Sequence, residues 1–143
     1  MLGLISDIHG NVVALDAVIA DGAAQGVTQW WVLGDLAAVG PEPAAALDRL
    51  AHLPHAHFVR GNTDRYTVTG ERPFPHAADV ARDPSLRELF DAVEASFTWT
   101  HEALGPDGWL DWLARLPTDQ RPHLVADDVS ELLSKLTSIV QGE

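Results

Sequence analysis

The sequence predicts an α/β fold with a mainly parallel sheet flanked by helices. Three observations predict it. Short apolar runs, rich in aromatic and β-branched residues, recur three times along the chain. Each run ends at an acid or a glycine and passes through a polar loop into a helical pattern. The ends of the runs are evenly placed: Asp35 lies 28 residues after Asp7, and Asn62 lies 27 after Asp35. Those intervals are close to the roughly 30 residues of a strand–helix–strand unit, whose strands lie parallel.

The first strand is expected over Leu2 to Ser6, ending at Asp7. A helix should follow, with Val12, Leu15, Val18 and Ile19 on one face, loosened by Gly22 and ended by Gly26. The second strand is Gln29 to Leu33, ending at Gly34-Asp35. Pro41 and Pro43 open a second helix, Ala44 to Leu50, because first-turn N–H groups have no partner inside the helix. The third strand is Ala56 to Arg60, ending at Gly61-Asn62.

Thr67 to Asp83 carries Gly70, Pro73 and Pro75 and reads as an irregular loop, with a lid as one use for it. Pro84 to His101 reads as a long helix with Leu86, Leu89, Phe90, Val93 and Phe97 on one side. Gly105-Pro106 breaks it, and Trp109 to Leu116 forms a short helix before Pro117. Beyond that, Asp128 to Gln141 has a strong amphipathic pattern: Val129, Leu132, Leu133, Leu136, Ile139 and Val140. We therefore divide the chain into residues 1–117 and an atypical helical tail, residues 118–143.

Composition narrows the function. The 143 residues support one domain with one core. A net charge of −12 repels a nucleic-acid backbone, so nucleic acid is not the expected partner. No apolar run reaches the roughly 18 residues that a membrane span needs, and the amino-terminal run is expected to be a buried strand rather than a signal peptide. A cytoplasmic location is expected. There is no cysteine, which excludes disulfides and thiolate metal sites. Any metal must be held by His, Asp, Glu or Asn.

In open α/β sheets, ligands collect beyond the carboxyl ends of the strands. Asp7, His9, Asp35 and Asn62 all fall there. Two carboxylates, an imidazole and an amide oxygen suit Mn, Fe, Zn or Co. Gly34 and Gly61 let the backbone pass close to such ions.

These residues resemble a known family. Ser6-Asp7-Ile8-His9-Gly10-Asn11, Gly34-Asp35 and Gly61-Asn62-Thr63-Asp64 are similar to the first three motifs of the calcineurin-like metallophosphoesterases. Leu36 to Pro43 resembles the loop after the second motif in a small bacterial branch of that family. The resemblance implies roughly the first half of a four-layer α/β/β/α sandwich holding two divalent ions. It implies that Asp7 and His9 bind metal one, that Asp35 bridges, and that Asn62 binds metal two. It also implies hydrolysis of a small phosphomonoester or phosphodiester by a hydroxide that bridges the two ions. Asp35, Asn62 and Asp64 are then the catalytic candidates. Asn11 is equally placed to touch phosphate or to cap a helix. For Arg65 pairing with a surface acid is the expected use, and contact with a substrate phosphate is the alternative. Arg60 has the same two uses.

The chain departs from the family pattern in two places. Position 63 is Thr where many members have a leaving-group His, so Asp64 loses the partner it would orient. The two later histidine motifs are missing, and His123 lacks their flanking glycines. By analogy metal one loses one ligand and metal two loses two, so the chain is expected to hold two ions, one or none. A truncated, frameshifted or diverged end is expected, with the tail helix covering sheet surface or a homodimer forming through that face or the tail. The alternative to an enzyme is a noncatalytic binding or scaffold module. The five tryptophans are expected to pack the core or a partner surface.

Overall fold

The structure, a computed structural model, describes residues 1–118. The expected tail helix and His123 lie outside the described residues. Three strands, β1 (Leu2–Ile5), β2 (Gln29–Val32) and β3 (Ala56–Phe58), form a parallel sheet in the order β1-β2-β3. The crossovers are α1 (Val12–Ala24) and α2 (Pro43–Ala51). Hydrogen bonding runs slightly past the strands: Leu33 N–H donates to Ile5 O at 2.8 Å and Val59 N–H to Val32 O at 3.0 Å. The chain then breaks from β geometry into the loops that carry the motifs.

Register sorts the side chains into two faces, because successive residues of a strand point to opposite sides. Ile5, Val32 and Phe58 pair across the sheet and face the helices. They meet Leu15 of α1, Ala46, Leu47 and Leu50 of α2, and Leu104 and Leu113 further on. Leu47 and Leu50 are wholly buried, each stabilising the fold by about 1.5–3 kcal/mol relative to exposure. The next row, Leu4, Trp31 and His57, faces the other way. There Leu4 is 60% exposed and Leu33 44%.

Trp30 shows how sequence and packing interlock. Its ring is buried over Gly3 and Gly22, and a Cβ on Gly22 would lie 2.3 Å from the indole. Gly22 therefore makes room for Trp30 rather than loosening α1, which continues to Ala24. Val18, expected on the buried face, is exposed, and Leu15 with the half-buried Val12 and Ile19 carries that face.

The segment from Thr67 to Asp83 is more regular than its Gly and Pro content predicts. Thr67 to Thr69 complete α3 (Asn62–Thr69), and Ala77–Arg82 forms α4. Both starts were hidden because their caps are acids inside the helix. Asp64 accepts from Gly61 N–H, and Asp79 accepts from His76 N–H, each at 2.9 Å. After a 3-10 turn at Pro84–Leu86, α5 runs Arg87–Leu104, three residues beyond His101. Its buried line is Phe97, Thr100 and Leu104, while Leu89 faces out. Helix α6 (Trp109–Arg115) stacks Trp109 and Trp112 edge to face, and Trp112 meets Phe58 of β3. Among the described residues no helix is long and apolar enough to cross a membrane.

Candidate metal centre

The loops after β1 and β2 lock together through their backbones. Asp7 N–H donates to Gly34 O, His9 N–H to Asp35 O and Gly10 N–H to Leu36 O, at 3.3, 2.9 and 3.0 Å. Glycine is needed where the second and third loops touch. A Cβ on Gly34 would lie 2.6 Å from the Gly61 backbone, and one on Gly61 would lie 2.2 Å from Asp35 Oδ1. Gly34 also has φ of +90°, a conformation that side chains rarely tolerate.

Three of the predicted ligands converge. One ligand atom each from Asp7, His9 and Asp35 lies within 4.8 Å of the other two. His9 Nε2 is 3.9 Å from Asp7 Oδ1, a span that an ion about 2.0–2.2 Å from each atom can bridge. His9 Nδ1 lies 2.8 Å from Ala38 O. A carbonyl only accepts, so Nδ1 carries the proton of this bond, and Nε2, on the Asp7 side, is the ring atom placed to ligate an ion. Asp7 also accepts a short hydrogen bond from Ser6 Oγ. This donor set, two carboxylates and an oriented imidazole, fits a divalent ion of the Mn, Fe, Zn or Co class.

The backbone at these residues is unusual. Asp7, His9 and Asp35 have φ of 55°, 48° and 57°, in the left-handed region. Each such residue costs on the order of 1–3 kcal/mol, and such positions cluster at functional sites. Asp and His are among the side chains that tolerate this region best. Periodicity and composition carry no trace of this feature.

The other predicted residues divide. Asn62 stands at the first position of α3, exposed, between two residues that reach Asp35: Gly61 by close approach and Thr63 by hydrogen bonds. Asn11 caps α1, accepting from Ala14 N–H at 3.0 Å. Arg65 pairs with Glu71 and stacks over Tyr66 at 4.8 Å. Arg60 donates from Nη1 to Ala114 O at 3.2 Å, and its own N–H donates to Pro117 O at 2.7 Å. That engagement ties the end of β3 to the segment after α6.

Asp64 is fully buried and works on backbone amides. Its Oδ1 accepts from Leu36 N–H at 2.8 Å, and its Oδ2 accepts from Asp35 and Gly61 N–H, both at 2.9 Å. Burial pushes its pKa above the usual carboxylate range and the charge of Asp35 adds to this, while the amides of Gly61, Leu36 and Ala37 pull it down. Thr63 is the residue that sequence reasoning missed. Its N–H and Oγ1 both donate to Asp35 Oδ1, at 3.0 and 2.8 Å. The available signal was position: it is the second residue of a helix, where backbone N–H groups need outside acceptors.

Comparison with known proteins bears on the family and the fold. The chain is 37% identical over 71 residues to an uncharacterised protein of Methanocaldococcus jannaschii, a match covering 50% of this chain and 28% of that one. The crystal structure of a metallophosphoesterase from Sphaerobacter thermophilus superposes with a TM-score of 0.60 at 30% identity, covering 85% of this chain and 43% of that one. A hypothetical protein from Pyrococcus horikoshii shares the fold, with a TM-score of 0.58 at 23% identity over 82% of this chain and 48% of that one. The chain thus spans less than half the length of these relatives. Residues 1–127 match the calcineurin-like phosphoesterase superfamily domain, and the chain belongs to that superfamily.

Proposed function

We propose that the chain performs metal-dependent hydrolysis of a small phosphomonoester or phosphodiester. The observation that carries this reading is the convergence of Asp7, His9 and Asp35 on left-handed backbone at two loops that hydrogen-bond to each other. Asp7, His9 and Asp35 would hold one divalent ion, and Asp35 with Asn62 would contribute to a second. Bound divalent ions supply Lewis-acid stabilisation of phosphoryl charge and a water acidic enough to react at neutral pH. The chain's own residues orient those ions. Asp35 sits between the other two candidate ligands and α3. His9 presents Nε2 because Ala38 O holds Nδ1. The exposed Asp7 and Asn62 keep the centre open to a small charged substrate. Place of action is read as the cytoplasm.

The test is metal content after purification together with a Mn-dependent assay on bis(p-nitrophenyl) phosphate. Bound Mn with turnover that disappears in Asp35→Ala is the expected result. A folded chain with neither metal nor turnover would replace this reading with a noncatalytic binding or scaffold module.

A further inference from the structure

We propose that Thr63 is a positioning residue for Asp35, presetting its carboxylate to receive the ion. This inference rests on the phosphoesterase reading above and names a device that reading does not require. Both Thr63 donors converge on one oxygen, Oδ1, at 3.0 Å from N–H and 2.8 Å from Oγ1. Two donors fill the lone-pair directions of that oxygen. Oδ2 accepts no hydrogen bond among the described residues and is left for a cation.

The arrangement removes the freedom of Asp35 to exchange its two oxygens. Asp35 is held at both ends by the first turn of α3: its amide by Asp64 Oδ2 and its carboxylate by Thr63. Gly61 lets the carboxylate lie this close, since a Cβ there would fall 2.2 Å from Oδ1. A ligand already oriented by outer hydrogen bonds binds metal without the ordering cost a free side chain meets. The Thr63 hydroxyl hydrogen is committed to a carboxylate, so this residue serves the metal ligand and not the leaving group.

The experiment is calorimetric titration of Mn into the metal-free full chain, for wild type, Thr63→Val, Thr63→Ala and Thr63→Ser. Loss of the hydroxyl in the Val and Ala variants is expected to weaken Mn binding about ten-fold, the lower end of what outer-shell partners supply. Thr63→Ser, which keeps the hydroxyl, is expected to stay within about two-fold of wild type. At saturating Mn the Val variant should regain most of the wild-type kcat. Circular dichroism establishes that each variant is folded, and the Ala variant stands in should Val fail. Wild-type affinity in Thr63→Val or Thr63→Ala overturns the proposal, as does a ten-fold loss in Thr63→Ser. A wild-type chain that takes up no Mn overturns the phosphoesterase reading as well. Mn uptake and turnover in wild type, with equal affinity in the Val variant, overturns the Thr63 inference alone.

Discussion

Asp64 accepts the amide proton of Leu36 through Oδ1 at 2.8 Å, across 28 residues of sequence. Its other oxygen takes the amides of Asp35 and Gly61, so one carboxylate from α3 closes the loop carrying the bridging candidate. Asp64→Asn would turn a nitrogen donor against amide donors in a fully buried site. An unfolding free energy lower by about 1–3 kcal/mol is expected, the cost of unpaired buried polar groups. Urea denaturation checks this, and a loss below about 0.5 kcal/mol would show that the loops close without the clamp.

The same residue sets a pH dependence whose sign is unusual for an acid. Burial raises its folded pKa above 3.8, so between those two values the folded chain binds more protons than the unfolded one. Its contribution to stability is complete below the unfolded value and is lost as pH rises through the folded value. The stability gap between wild type and Asp64→Asn should therefore shrink as pH rises from about 4 toward neutrality. A gap that widened over that range would mean the amides of Gly61, Leu36 and Ala37 outweigh burial.

Gly22→Ala should destabilise, against the usual direction. Alanine inside a helix is ordinarily favoured by about 0.5–1 kcal/mol over glycine. Here the new Cβ would lie 2.3 Å from the Trp30 ring, itself buried on the sheet. Overpacking of that kind costs about 1–3 kcal/mol and wins. A Tm unchanged or raised in differential scanning calorimetry would contradict the packing of Trp30 against α1.

Leu33→Lys addresses the face of the sheet that is partly exposed among the described residues. Leu33 is 44% exposed, so the charge is expected to change stability by no more than about 0.5 kcal/mol. Chemical denaturation with light scattering checks both stability and association. A loss of about 2 kcal/mol or more, or a change of oligomeric state, would show that this face is covered in solution.

Gly61→Ala tests the contact between the second and third loops. Its Cβ would meet Asp35 at Oδ1 and at the backbone nitrogen, 2.2 and 2.3 Å away, and neither is the far end of a flexible chain. Mn affinity measured by titration is expected to fall at least ten-fold, as for loss of a metal's supporting shell. Retained affinity would mean that Asp35 is free to move away from α3 without harm to the site.

The strands and first two helices of this protein were legible in its sequence because they rest on local pattern. Trp30 to Val32 is apolar and aromatic, Pro43 opens α2, and the motif residues Asp7, Gly34-Asp35 and Gly61-Asn62 follow the strands where the ladder stops. The convergence of Asp7, His9 and Asp35 was legible for the same reason: parallel strands at even spacing bring their carboxyl ends to one edge. Tertiary structure alone decided the rest. It gave Gly22 to Trp30, put α4 where a loop was expected, and turned Asp64 inward onto three amides. It also set both donors of Thr63 on one oxygen of Asp35. The Asp64 and Thr63 contacts depend on groups nearly thirty residues apart meeting within hydrogen-bond distance, which periodicity in a single chain does not encode.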